Sequence, residues 1–214
     1  MTIDGEPSAV KTSAAKPTER VRNRRGNGVR LREEILDAAV VLIDETEDAA
    51  ALTLRGIARR AGISAPSIYP HFAELATLIE AVLARSFDEL RDAVQSAIDA
   101  EDTPRDALMA AGRAYVQFGW DHKARYRLMF AATGYAANAV DTFTVVESTI
   151  QECVEAGVST STDPHIDAWL LWASLHGVAT LAKPARADYL RLGPLDRPAM
   201  LRTLISRIAG LVTG

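Results

Sequence analysis

The chain lacks the features that mark secreted and membrane proteins. Its 214 residues include one cysteine, Cys153, so no disulfide can form within the chain. No apolar run is long enough to cross a bilayer, and the first residues carry no hydrophobic core of a signal peptide. These absences predict a cytoplasmic protein in a reducing compartment, with no membrane partner.

The sequence also lacks the short motifs of common catalytic and metal sites. It has no Gly-x-Ser-x-Gly elbow, no phosphate-binding glycine loop and no His-Glu-x-x-His pair. No metal-ligand spacing is found among its four histidines, which are His71, His122, His165 and His176. Cys153 lies in an apolar stretch, which predicts a buried thiol rather than a nucleophile. We therefore predict no enzyme, no catalytic residues, no metal site and no cofactor.

Charge is distributed unevenly between the start of the chain and the rest. The net charge is −4, but residues 1–32 alone carry +5 and the remaining residues carry −9. Residues 1–28 offer little to bury and are predicted to form a disordered basic arm. The arm is placed to contact DNA phosphates or the minor groove through its arginines, which include Arg24 and Arg25. A solvated tail is the alternative interpretation.

The stretch Thr53–Phe72 has the pattern of two short helices joined by a tight turn. Apolar residues recur at the spacing of one helical face after Thr53, whose hydroxyl can cap the helix. Gly62 supplies a left-handed turn that ends this helix, and Ser64 can cap a second one, with Pro66 in its first turn. Such a helix-turn-helix lays its second helix in the DNA major groove. A helical hairpin inside a core is the alternative.

Helical patterns continue through the rest of the chain. An amphipathic helix is predicted over residues 29–45, and no later segment alternates with strand period. The predicted fold is therefore all-α. It has an N-terminal three-helix DNA-binding domain (29–73) and a C-terminal helical ligand-binding and dimerisation domain (74–214). The helix over 74–99 is long enough to connect the two domains and to transmit movement between them. A core helix without a signalling role is the alternative.

The order T-L-R-x-I-A-x-x-A-G-I-S, then S-I-Y-P-H-F, resembles the DNA-binding domain of TetR-family transcriptional regulators over about residues 29–80. The resemblance implies phosphate contacts from Thr53, Arg55 and Tyr69. It places His71 at another phosphate or at the edge of the groove. It also implies that a recognition helix carries four residues over base edges, which are Ser64, Ala65, Pro66 and Ser67.

Two residues depart from the family's pattern. Pro70 stands where the family more often has a residue that can face DNA, and it must end or kink the recognition helix near Tyr69. Glu74 and Leu75 replace a Ser-Lys pair, so one lysine contact with a phosphate is missing. Operator specificity is then expected to depend on DNA shape and the basic arm as well as on base contacts.

The segment Trp172–Gly177, with Tyr126–Phe130 upstream, is similar to the C-terminal domain of a TetR subgroup named for its Trp-His-Gly signature. That similarity implies a homodimer in which helices over about 165–182 and 198–212 pair with their copies. Small residues in the first helix and apolar residues in the second agree with this pairing. These residues are Ala173, Gly177, Ala179 and Ala182, and Leu201, Leu204, Ile205 and Ile208.

Aromatic residues with a few polar groups predict a small-molecule cavity in the second domain. An ordinary packed core is the alternative. The candidate ligand-binding residues are Met109, Arg113, Gln117, Trp120, Tyr126, Phe130, Trp169, Trp172 and His176.

Together these patterns predict a transcriptional repressor that binds a palindromic double-stranded DNA operator as a homodimer. A small-molecule effector is expected to release it from the operator. The alternative is a helical ligand-binding or interaction protein whose DNA binding has degenerated, which Pro70 and the missing lysine would favour. A small helical enzyme is the weakest alternative.

Overall fold

The computed structural model describes residues 27–131, 136–181 and 196–212, and these ranges contain eight α-helices. The helices are α1 (Asn27–Thr46), α2 (Leu54–Ala61), α3 (Leu75–Asp99), α4 (Pro104–Asp121), α5 (Lys123–Ala131), α6 (Ala136–Glu155), α7 (Pro164–Leu181) and α8 (Arg197–Ile208). Within the same ranges, extended pairing is limited to an isolated bridge between Ser159 and Leu211. The predicted all-helical fold is confirmed. No helix in the described part of the chain is long and apolar enough to span a bilayer.

The helix ends lie where the local sequence predicts them. The Thr53 hydroxyl accepts a hydrogen bond from the Gly56 N–H at 3.0 Å, and the Thr103 hydroxyl caps α4 in the same way. Gly62 ends α2 with φ of 67°, a left-handed conformation that residues with a Cβ rarely adopt. Each of these ends depends on residues within four positions, so short sequence patterns suffice to predict them.

Two groups of buried apolar side chains form separate cores. The first packs α1 and α2 against the start of α3, and its centre includes Ile35, Ile57 and Ile68, all fully buried. The second lies among α3 to α8. Helix α3 belongs to both cores, because its Val82 packs in the first core and its Leu83 packs in the second. The domain limits and the transmitting role of this helix stay predictions.

Helices α4 and α7 cross closely because both present small residues at the contact. A Cβ added to Gly119 would lie 2.9 Å from the Ala179 Cβ and 3.3 Å from the Tyr126 ring. A side chain at position 119 would therefore force the helices apart. This crossing fixes α7 against the body and sets which of its faces points outward.

Several residues predicted for the dimer interface pack in the core of the same chain. Ala179 is buried at the crossing with α4, and Leu201 and Ile205 of α8 are buried against their own chain. Leu204 and Ile208 are only half-buried. Ala182 lies outside the described residues, as does nearly all of the predicted arm, 1–28. Periodicity identified the apolar faces correctly, but it could not tell a neighbouring helix from a partner chain.

Candidate nucleic-acid interface and aromatic cavity

Helix α2 and the segment after it form the candidate DNA-binding surface. The second helix of the predicted motif is a single 3-10 turn, Ala65–Ser67, followed by turns as far as His71. Pro70 has no N–H, and its ring clashes with the carbonyl four residues earlier, so an α-helix cannot continue there. The expected α-helix is therefore wrong for this segment, whereas the expected break near Tyr69 is present.

Ser64 occupies the N-cap position but does not act as a cap. Its hydroxyl oxygen lies 2.7 Å from the Ser67 hydroxyl, and no backbone N–H bonds to it. The two hydroxyls bond each other because the short 3-10 turn brings residues three apart onto the same side. This pair is a small polar group on the exposed side of the segment.

The predicted DNA-contacting residues that the structure describes lie on or near one exposed stretch of chain. Thr53, Arg55, Ser64 and Pro66 are exposed, and Tyr69 is 55% exposed. Ala65, Ser67 and His71 are half-buried, with Ala65 packed against the first core. Arg24 and Arg25 lie outside the described residues. The Thr53 hydroxyl oxygen accepts the capping bond from Gly56, which leaves its own proton free to be donated to a phosphate.

Only some of the arginines beside this surface are free of an ion pair in the described part of the chain and able to contact DNA phosphates. Arg60 forms a 3.0 Å ion pair with Glu45, whereas Arg55 and Arg59 are exposed without an ion pair among the described residues. Glu74 is exposed just before α3, where the sequence predicts an unfavourable charge facing DNA. Favourable phosphate contacts are therefore expected mainly from Arg55 and Arg59.

An aromatic cavity of about 190 Å³ lies along α7 in the second core. It is lined by Phe130 from α5 and by four residues of α7, which are Trp169, Trp172, Ala173 and His176. The rings pack closely, since the centroids of Trp169 and Trp172 are 5.2 Å apart and those of Phe130 and His176 are 4.6 Å apart. Among the described residues no charged side chain lines the cavity, so these residues offer it mainly carbon surface.

A chain of hydrogen bonds behind the cavity occupies the polar atoms of its walls. The Trp172 indole N–H donates to the Tyr115 hydroxyl at 2.8 Å, and the Tyr126 hydroxyl donates to the same oxygen at 3.1 Å. The Tyr126 oxygen lies 2.8 Å from Nδ1 of His176. These contacts occupy the Tyr126 hydroxyl and Nδ1 of His176 inside the protein. Burial raises the pKa of Tyr115 to about 12 and also raises the pKa of Tyr126.

Only some of the predicted ligand-binding residues line this cavity. Phe130, Trp169, Trp172 and His176 do, whereas Tyr126 lies behind it. The other four residues do not line it. Met109 is buried in the core, and Trp120 lies under the Arg197 guanidinium. Arg113 pairs with Glu101, and the exposed Gln117 bonds Asp121. Helical spacing could have found Ala173, which lies four residues after Trp169 on α7. No local sequence pattern indicates that Tyr115 lies behind the cavity, because its partners Tyr126 and Trp172 lie on other helices.

Burial lowers the pKa of His176 below its ordinary value, and this shift has a consequence for stability. As pH falls below about 6.5, the unfolded chain takes up a proton that the folded chain still disfavours, so stability is lost. We expect the melting temperature to fall less between about pH 7 and pH 5 in His176→Asn than in the unaltered protein. The control His165→Asn removes an exposed histidine and should follow the unaltered protein. Equal slopes in both variants would contradict the prediction.

An ionic cluster around the buried Arg125 connects α5 to the DNA-binding unit. Arg125 is 1% exposed; its Nε lies 3.1 Å from Asp44 of α1, and its Nη1 bonds Glu89 of α3. His122 bonds the other Asp44 oxygen at 2.9 Å, and Lys123 pairs with Glu47 at 2.9 Å. No local sequence pattern indicates this cluster, because its members are up to 81 residues apart. It holds the end of α1 to the body.

Two regions of the chain match known protein families. Residues 35–82 match "Bacterial regulatory proteins, tetR family", and residues 108–208 match "Tetracyclin repressor-like, C-terminal domain". The first range covers the core around the helix-turn-helix, and the second runs from α4 to α8. The Trp-His-Gly subgroup expected for the second domain stays a prediction.

Individual proteins are similar to part or most of the chain. The HTH-type transcriptional activator FasR of Mycolicibacterium smegmatis is 36% identical over 112 residues, which are 50% of this chain and 50% of FasR. The chain thus spans about half the length of that relative. A Rhodococcus sp. RHA1 protein of unknown function has a TM-score of 0.66 at 26% identity, covering 84% of this chain and 91% of its own. The structure of AibR in complex with isovaleryl coenzyme A and operator DNA has a TM-score of 0.61 at 16% identity. The match covers 85% of this chain and 100% of AibR.

The order of the two matches agrees with the order of the two cores, which places the protein in the class of helix-turn-helix regulatory proteins. The chain belongs to the TetR family of DNA-binding transcriptional regulators. Members of this family are regulators rather than enzymes.

Proposed function

We propose that this protein is a homodimeric regulator that binds a two-fold symmetric operator and responds to a small apolar effector. The observation that carries the proposal is the row of exposed residues between Thr53 and Tyr69, held on a core formed by α1, α2 and the start of α3. Two copies related by a two-fold axis would place these stretches in successive major grooves, about 34–36 Å apart.

The outward face of α7 supports dimerisation. Ile166, Trp169, Leu170 and Leu181 are 49–58% exposed, although all four are large and apolar. From Ala168 to Leu181 the helix contains no Asp, Glu, Lys or Arg. A long uncharged face with exposed large side chains is typical of a protein interface rather than of a solvent-facing helix. We propose α7 as the centre of the interface, with the half-buried Leu204 and Ile208 of α8 contributing at its side.

The aromatic cavity is the proposed effector site. Its walls are ring faces and carbon atoms, because Trp172 Nε1 and His176 Nδ1 are already hydrogen-bonded inside the protein. An anionic group placed there would lose its hydration without gaining a positively charged partner. We therefore propose an uncharged, largely apolar effector or effector moiety of about the size of one substituted aromatic ring.

Helix α5 is the proposed link between the cavity and the DNA-binding unit. Tyr126 bonds His176 beside the cavity, and the adjacent Arg125 bonds Asp44 of α1 and Glu89 of α3. A ligand that displaces His176 would therefore move α5 and the ionic cluster with it. This adds a second route to the predicted transmission through α3. The ligand can shift the protein between two arrangements only by its difference in affinity for them.

Repression is our prediction from the sequence, and activation is the second candidate. The relative FasR is named a transcriptional activator, and its identity to this chain is 36% over the matched residues. A promoter carrying the selected operator in front of a reporter gene distinguishes the two. Expression that falls when the protein is present supports repression, and expression that rises supports activation.

Selection of genomic DNA fragments by the purified protein tests the proposed function. We expect the bound fragments, sequenced after washing at about 0.15 M salt, to share a two-fold symmetric sequence. Binding without sequence preference, or no binding, would overturn the operator-binding proposal. Ligand binding by the body would then become the leading function.

Tyr69→Phe tests the candidate DNA-binding surface by removing a single hydroxyl group. Tyr69 is 55% exposed, so removing its hydroxyl should leave the fold intact. We expect affinity for the selected operator to fall about threefold to tenfold at fixed salt, because a hydrogen bond to a phosphate is lost. Thr144→Val, which removes an exposed hydroxyl from α6, is the control and should bind like the unaltered protein. Unchanged affinity in Tyr69→Phe would remove Tyr69 from the contacts.

A further inference from the structure

The cavity and the outward face of α7 share two residues. Trp169 and Ala173 line the cavity, and both are exposed on the face that carries Leu170. The other walls, Phe130, Trp172 and His176, are half-buried. The open side of the cavity is therefore bordered by the same surface that the proposed function assigns to the dimer.

A second copy of the chain fits this surface better than a charged partner does. The face is uncharged over the whole length from Ala168 to Leu181. Gly177 lies within the helix, where glycine is disfavoured, yet a Cβ added to it would meet nothing within 4 Å in the described part of its own chain. Close approach of another helix accounts for a glycine there, and in a two-fold dimer that helix is the partner's α7.

We infer that the effector cavity is completed by the partner chain, whose α7 closes the side bordered by Trp169 and Ala173. This inference rests on the proposed dimer. One chain supplies the aromatic walls, and the partner supplies the cover that excludes water from an apolar ligand. A ligand in such a site touches both subunits. It would therefore act directly on the relative position of the two DNA-binding units, in addition to acting through α5.

The test uses 4-fluorotoluene, an uncharged ring of suitable size, with binding to the full-length protein followed by fluorine NMR. Leu170→Glu changes an exposed residue that does not line the cavity and should separate the dimer. We expect this variant to be monomeric by sedimentation and to bind 4-fluorotoluene at least about tenfold more weakly than the unaltered protein. Leu181→Glu, further along the same face and distant in sequence from Trp169, should give the same two results.

Val29→Glu provides the matched control, because Val29 is an exposed apolar residue of α1 outside this face. It should remain dimeric and bind the probe normally, and circular dichroism should show all variants folded. Monomeric variants with unchanged affinity would overturn the shared cavity but leave the proposed dimer and effector site standing. Variants that stay dimeric would overturn the α7 interface. An unaltered protein that binds no probe would overturn the apolar effector site itself, and this inference with it.

Discussion

Replacing Arg125 with methionine is expected to lower the free energy of unfolding by about 2–3 kcal/mol. Methionine keeps most of the packing volume over Phe118 but removes the charge that Asp44 and Glu89 share. A fully buried unpaired carboxylate would cost more, but Asp44 and Glu89 side chains are 25% and 41% exposed and Asp44 keeps His122. Urea unfolding at one fixed protein concentration measures the change, because a dimer's stability depends on concentration.

Arg91→Met is the matched control for this experiment. Arg91 also pairs with carboxylates, Asp88 at 3.1 Å and Asp92 at 2.9 Å, but its side chain is 34% exposed. Ion pairs at the surface contribute about 0–1 kcal/mol, so this variant should be close to the unaltered protein. If Arg125→Met were as stable as Arg91→Met, the buried cluster would not hold α1 to the body.

Gly119→Ala is expected to destabilise the fold by about 1–3 kcal/mol, although alanine is the better helix former. The added methyl would lie 2.9 Å from the Ala179 Cβ, which is fixed to the α7 backbone. It would also press on the Tyr126 ring, whose hydroxyl is held by Tyr115. Neither neighbour can rotate away, so α4 and α7 must separate. Thermal and urea unfolding measure the loss.

Gly28→Ala is the control for the intrinsic effect of the substitution. Gly28 lies in α1, and a Cβ added there would meet nothing within 4 Å. We expect it to be neutral or to stabilise by up to about 1 kcal/mol. Equal effects of the two substitutions would mean that α4 and α7 are not in close contact at Gly119.

The predicted and observed cavity linings differ because helical periodicity shows which residues share a face but not which way that face points. Trp169, Trp172 and His176 lie on one helix, and their spacing alone brings them together. Arg113 and Gln117 lie on α4 among apolar residues but point to the surface, because that helix buries its opposite face. The spacing of a helical stripe identifies the buried face only when the neighbouring elements are known.

The sequence by itself determined the starts of α2 and α4, the glycine turn after α2, the break near Tyr69 and the family. These depend on contacts among residues a few positions apart, such as Thr53 with Gly56 and the effect of Pro70 on its own preceding turn.

Only the tertiary structure decided that Ile205 and Leu201 pack inside one chain, that α7 has an outward apolar face, and that Arg125 is buried with Asp44 and Glu89. A charged residue is buried only when distant partners neutralise it, and an apolar residue is exposed only when no neighbouring helix covers it. Both conditions depend on which helices pack together, and that is decided by the whole fold.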